Sequence, residues 1–157
     1  MDERFFFIKL IFQTSQSVFN EMLQEEIRKG KVDYKDNKII GHKVNVSIGF
    51  TGDVEGFVYF SMDENTALNI SEKLSGMKME EINDFVTSAI GEIANIISGS
   101  LSTKLLEEDL KANITTPSIT VGDNIEVSSN KEKFIAIPIK NSTLGNIEIN
   151  LSLYEAK

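Results

Sequence analysis

Apolar residues recur along this chain with two different periods, and the switches between them mark its elements. From Phe5 to about Glu26, the residues Phe5, Ile8, Phe12, Phe19 and Met22 fall at helical spacing. Leu10, Ile11, Val18 and Leu23 widen that stripe, which predicts a helix with a broad apolar face. Gly30 ends the segment. Ile27 and Val32 fit a short strand, and the polar run Lys35 to Lys43 reads as a loop. The period then becomes two. Val44, Val46, Ile48 and Phe50 alternate with polar or small residues, and Thr51-Gly52-Asp53 makes a turn. Val54 to Met62 returns with Val58, Phe60 and Met62 on one face, which predicts a hairpin. Asp63 is placed to cap a helix carrying Ala67, Leu68, Ile70 and Leu74, and Gly76 stops it.

A long helix is predicted from about Glu81 to Glu107. Its expected buried side is Ile82, Phe85, Val86, Ala89, Ile93, Ile96, Ile97 and Leu101. The last third alternates again. Ser118 to Val121 is one strand, and Phe134 to Lys140 is another, with Ile135, Ile137 and Ile139 on one face. After the turn Asn141-Ser142-Thr143, Ile147, Ile149, Leu151 and Leu153 form a final strand. Pro138 lies inside a strand, which implies an edge position or a bulge. Strands come in antiparallel runs and not in βαβ alternation. This predicts an α+β fold, an antiparallel or mixed sheet with long helices packed on one face. The opposite sheet face must be covered, solvated or paired with a second subunit. With 157 residues and no linker or low-complexity segment, residues 1–157 are expected to form a single domain.

The polar side of the long helix is unusual. Ser88, Glu92, Asn95, Gly99 and Ser102 line up at spacings of three and four, with Gly91 and Ser98 beside them. A solvated helix face usually carries long Lys, Glu and Gln side chains. This one is cleared of bulk around one carboxylate and one carboxamide. Two readings follow. Either another helix packs closely there, with Asn95 hydrogen-bonded inside, or a partner docks on the face.

Charge and chemistry narrow the choice. A net charge of −8 argues against nucleic acid, whose backbone demands clustered Lys and Arg, and against an anionic membrane surface. With no cysteine and the single His42, neither a thiolate zinc site nor a transition-metal centre is expected, and a cytoplasmic setting fits. The apolar Phe5 to Phe12 is too short to span a bilayer and contains Lys9. The start Met1-Asp2-Glu3-Arg4 does not look like a secretory signal. Dinucleotide, Walker A, zincin and serine-elbow motifs are missing from the sequence. His42 has no paired nucleophile and reads as a surface residue. Glu80, Glu81, Glu107, Glu108 and Asp109 read as solvated charge. Glu92 and Asn95 remain. At i and i+3 they share a face about one turn apart. A carboxamide both donates and accepts, so it can hold a water in fixed orientation; a carboxylate beside it can pair with a partner's lysine. Phosphoryl transfer is a reaction that asks for little more than such alignment.

The stretch Gly91-Glu92-Ile93-Ala94-Asn95-Ile96-Ile97-Ser98-Gly99 resembles the E-x-x-N helix of the CheC/CheX/FliY phosphatases of bacterial chemotaxis. The likeness extends to the long first helix, the Val44–Met62 hairpin, Asp63-Glu64-Asn65-Thr66-Ala67-Leu68 and the closing strands. It implies a hydrolase acting on the aspartyl phosphate of a CheY-type response regulator in two-component signalling. Glu92 and Asn95 would be its catalytic residues: Glu92 pairs with the receiver's lysine, and Asn95 orients the hydrolytic water. Ser88, Gly91, Ser98, Gly99 and Ser102 would let the helix lie against the receiver. Mg2+ comes with the receiver, so the chain needs no cofactor of its own. A second E-x-x-N copy would fall on the first helix, where Gln13 and Gln16 keep the spacing without an acid. One complete site resembles CheX within the family, which implies a homodimer joined through sheet edges. The alternative is a non-catalytic receiver-binding or switch-complex module.

Overall fold

Residues 3–129 and 133–156 are described by a computed structural model, so Met1 and Asp2 lie outside it. In chain order the elements are α1 (Glu3–Leu23), β1 (Arg28–Lys29), β2 (Asp33–Tyr34), β3 (Lys38–Ile40), β4 (Val44–Gly52), β5 (Val54–Met62), α2 (Glu64–Ser75) and α3 (Asp84–Glu107). Then come β6 (Ala112–Ile114), β7 (Ser118–Val121), β8 (Glu126–Ser128), β9 (Ile135–Asn141) and β10 (Gly145–Glu155). The main sheet is antiparallel and eight-stranded, in the order β1-β9-β10-β5-β4-β6, with β2 also on β9 and β7 also on β4.

Alternation sets the two faces of this sheet. Val44, Val46, Ile48 and Phe50 of β4 are buried, as are Val58, Phe60 and Met62 of β5 and Ile147, Ile149, Leu151 and Leu153 of β10. They join one core with Phe7, Ile11, Phe19 and Leu23 of α1, Ala67 and Ile70 of α2, and the buried side of α3. Each large apolar side chain so enclosed contributes about 1.5–3 kcal/mol. The helices thus cover one face of the sheet, as the patterning implies. On the opposite face, β3 pairs with β8 as a small second sheet. Ile39, Tyr59 and Phe134 are buried there with Phe57 and Val127 against them.

Local chemistry sets the helix ends. Asp63 caps α2, its carboxylate accepting from Thr66 N at 2.8 Å, and Gly76 ends the helix at φ +77. A left-handed backbone there suits glycine. Asn83 caps α3 in the same way, accepting from Val86 N at 2.9 Å, so α3 starts at Asp84 and not at Glu81.

Three expectations change. The Lys35–Lys43 loop contains β3. The strand near Ile27 and Val32 covers Arg28–Lys29 between them. Pro138 is not on an edge strand, since β9 has β10 on one side and β1 and β2 on the other, but it does face a bulge: between the pairs Lys29↔Ile139 and Asp33↔Ala136, three residues stand opposite Ile137 and Pro138. Its carbonyl accepts from Gly30 N at 2.8 Å, in the gap between β1 and β2. A strand residue's N and C=O point to the same side, so the nitrogen without a proton faces an interrupted neighbour.

Glu25 ties the end of α1 to the rest. Asn141 donates to its Oε1 at 3.0 Å, and Lys73 Nζ lies 3.2 Å from Oε2. The Asn141 hydrogen bond, then Lys73, holds this carboxyl below its ordinary 4.5. Its contribution to stability is therefore complete above about pH 4.5 and is lost as pH falls through the lowered folded-state value. Glu25→Gln is expected to flatten that part of the stability profile, read as denaturation midpoints from pH 6 down to about pH 3.

Candidate functional site

The orientation of α3 is set by what it buries. Val86, Ile90, Ile93, Ala94, Ile97, Leu101 and Leu105 are enclosed against α1, α2 and the sheet. That arc turns the opposite arc to solvent. Ser88 and Glu92 are exposed there, and Asn95 and Gly99 are half-buried. Glu92 and Asn95 sit one turn apart, and among the described residues neither side chain has a hydrogen-bond or ion-pair partner. Asn95 is not hydrogen-bonded inside a helix pair, which removes that reading. A Cβ added at Gly99 would meet nothing within 4 Å, so the surface beside the pair is open.

The docking row is narrower than the spacing implies. Gly91 is buried, and a Cβ there would lie 2.9 Å from Ile119 Cδ1 on β7. Its small size serves packing within the fold. Ser98 is fully enclosed, its hydroxyl without a partner. Ser102 donates its hydroxyl to the Ala112 carbonyl at 2.7 Å, fastening α3 to β6. Gly91 and Ser98 therefore face inward, and Ser102 is engaged within the chain. The open row is Ser88, Glu92, Asn95 and Gly99.

One residue moves the other way. Phe85, expected in the core, is 41% exposed on the same arc as Glu92. Position 85 precedes position 92 by two helical turns, so heptad spacing already placed it there; its apolar character pointed to the core instead.

On α1, Gln13 and Gln16 are exposed, with no carboxylate at either position. His42 is exposed, and its backbone N–H donates to Ser61 Oγ at 2.7 Å. Glu80, Glu81, Glu107, Glu108 and Asp109 are all exposed. Among the described residues, no three His, Cys, Asp or Glu side chains gather as a metal site, and no helix is long and apolar enough to cross a membrane.

The arrangement therefore offers one acid and one amide, unpaired, on an open convex helix. Neither Glu92 nor Asn95 lines the cavities at α1–α3 or beside α2.

Comparison with known proteins agrees with the fold. A CheC-like superfamily protein from Shewanella sp. PV-4 superposes with a TM-score of 0.85 at 26% identity, covering 98% of this chain and 99% of that one. The CheX of Borrelia burgdorferi, solved as a complex with CheY, BeF3 and Mg2+, is 30% identical with a TM-score of 0.82, covering 95% and 98%. The CheY-P phosphatase CheX of Thermotoga maritima is 28% identical over 130 residues, 82% of this chain and 83% of that protein. The family model described as chemotaxis phosphatase CheX matches residues 44–140. That span is more than half of the chain and contains the whole of α3, and it makes this protein a member of the CheX family.

Proposed function

We propose that this chain hydrolyses the aspartyl phosphate of a CheY-type receiver domain, with α3 as its half of the active site. The observation that carries this reading is the unpaired Glu92–Asn95 pair on the open arc of α3. The named activity of the Thermotoga relative and the CheY bound to the Borrelia relative support the substrate class. Glu92 pairs with a lysine at the receiver's phosphorylation site and fixes the helix across it. Asn95 then enters the site, and its carboxamide oxygen accepts a hydrogen bond from a water while its NH2 donates to the water oxygen, aiming a lone pair at phosphorus opposite the aspartyl oxygen. The P–O bond to aspartate breaks as the water oxygen bonds, giving a free carboxylate and inorganic phosphate. Mg2+ accompanies the receiver in this reading, which the presence of Mg2+ in the Borrelia complex supports.

An open helix suits this chemistry. A receiver brings its own acidic pocket, lysine and metal, so a second cleft on the phosphatase would only obstruct approach. Docking also removes water from the pair, which strengthens each polar contact made there. A homodimer joined through a sheet edge belongs to the same reading; the main sheet ends in β1–β2 on one side and β6–β7 on the other.

The test separates anchoring from chemistry. Glu92→Ala is expected to weaken binding of a Mg2+- and beryllofluoride-loaded receiver about tenfold, measured by titration calorimetry. Unchanged binding would remove Glu92 from the interface.

A further inference from the structure

We propose that the receiver lies along the full exposed length of α3, held by Phe85 at one end and Leu106 at the other. This rests on the function proposed above and extends it from chemistry to docking. Phe85, Glu92, Gly99 and Leu106 recur at seven-residue spacing, so they form one row along the helix. Its ends are apolar and exposed: Phe85 at 41% and Leu106 at 59%. Its centre is small or polar. A single exposed apolar residue needs no explanation. Two of them, in register, one two turns before Glu92 and the other three turns beyond Asn95, describe a seam with apolar ends and a reactive middle.

The row suits a receiver better than other occupants. From Phe85 to Leu106 it runs about 30 Å, roughly the width of a small domain. It is continuous with Glu92 and Asn95, so a partner seated on that pair covers its ends without leaving the helix. Its only charge is the Glu92 carboxylate, which complements a lysine and no anionic surface. A second copy packed along the same row would enclose two Glu92 carboxylates with no Lys or Arg on the row to pair them. Large apolar side chains flanking the pair remove apolar area from water when a partner covers them, and they exclude water from the contact's centre.

The inference separates binding from rate. Affinity for the Mg2+- and beryllofluoride-loaded receiver, and KM and kcat for the phosphorylated one, are measured for wild type, Phe85→Ala, Leu106→Ala, the double variant and Phe5→Ala. Phe5 is 67% exposed on α1 and serves as the control. Each row variant is expected to raise Kd and KM about three- to tenfold, the double variant about 30-fold, with kcat and circular dichroism unchanged. Phe5→Ala should stay within about twofold of wild type. The proposal is overturned if both row variants bind like wild type or lower kcat at constant KM. Light scattering that shows a wild-type dimer and monomeric row variants also overturns it, since the row would then be a self-contact. If wild type hydrolyses and the row variants bind normally, only the docking proposal fails. If wild type binds through the row without hydrolysing, only the catalytic reading fails.

Discussion

Asn95→Ala is expected to lower the rate of receiver dephosphorylation about 10²–10³-fold while leaving receiver affinity within about threefold. The size follows from how little else the site supplies. On the open arc of α3, Asn95 is the carboxamide beside Glu92, able both to donate to a water and to accept from it, and no neighbouring side chain holds it elsewhere. Losing one positioned donor of this kind costs about 3–4 kcal/mol of transition-state stabilisation. Two further substitutions test position against chemistry. Asn95→Gln keeps the amide but extends it by a methylene, a displacement of about 1 Å, and is expected to lose roughly 10²-fold. Asn95→Asp keeps the shape, removes the donor and brings a negative charge toward a phosphate, so it should be no better than alanine. Single-turnover decay of the labelled receiver at saturating phosphatase reads all three. An Asn95→Ala variant with more than half of the wild-type rate would take Asn95 out of the chemistry.

Gly56→Ala is expected to destabilise the fold by about 3–5 kcal/mol, enough to lower the thermal midpoint by roughly 10 °C or more in a chain of this size. Gly56 has φ +115, and a Cβ there would stand 1.9 Å from the Ser152 carbonyl oxygen. Both neighbours are backbone in the centre of the sheet, where Gly56 pairs with Leu153, and β5 and β10 stay in register through Val54 and Glu155. Neither strand yields without breaking that ladder. Gly99→Ala is the contrast. It adds the same methyl into open space on a helix, and helix propensity favours alanine by about 1 kcal/mol, so its midpoint should rise. Scanning calorimetry of both variants checks the pair. A Gly56→Ala midpoint within about 2 °C of wild type would contradict the strain at β5.

Local signals were legible where they were self-sufficient. The β4–β5 hairpin, the Asp63 cap and the Gly76 stop depend on residues within a few positions of one another, and they stand where periodicity put them. Of the short strands, only the one near Ile27 and Val32 announced itself. Each of β1, β2, β3, β6 and β8 has two or three residues, and each exists because a distant strand offers its edge: β3 meets β8 through Lys38↔Ser128, and β6 meets β4 through Thr51↔Asn113. No window of sequence contains both partners. Pro138 shows the same limit, since what accommodates it is a gap in a strand about a hundred residues earlier.

The open arc of α3 was legible in the sequence, but the row of small residues read onto it was too wide. Helical spacing placed Ser88, Glu92, Asn95 and Gly99 together correctly. It also admitted Gly91 and Ser98, because it cannot say how far round the helix the core reaches. That boundary is set by β6 and β7, which return to the flank of α3 and bring Ile119 over Gly91. Small residues mark close approach, and here one flank approaches the fold while the other stays open. Phe85 failed for the opposite reason. Hydrophobicity argued for the core, whereas the seven-residue interval to Glu92 argued for the surface, and the interval was the better guide.

The most direct test is turnover. The decay of a phosphorylated CheY-type receiver is followed with this chain present at a tenth of the receiver concentration. The account expects the whole receiver pool to lose phosphate faster than by autohydrolysis, over several turnovers per phosphatase. Decay at the autohydrolysis rate, or slower because bound receiver is shielded, would contradict it and leave this protein a binding module.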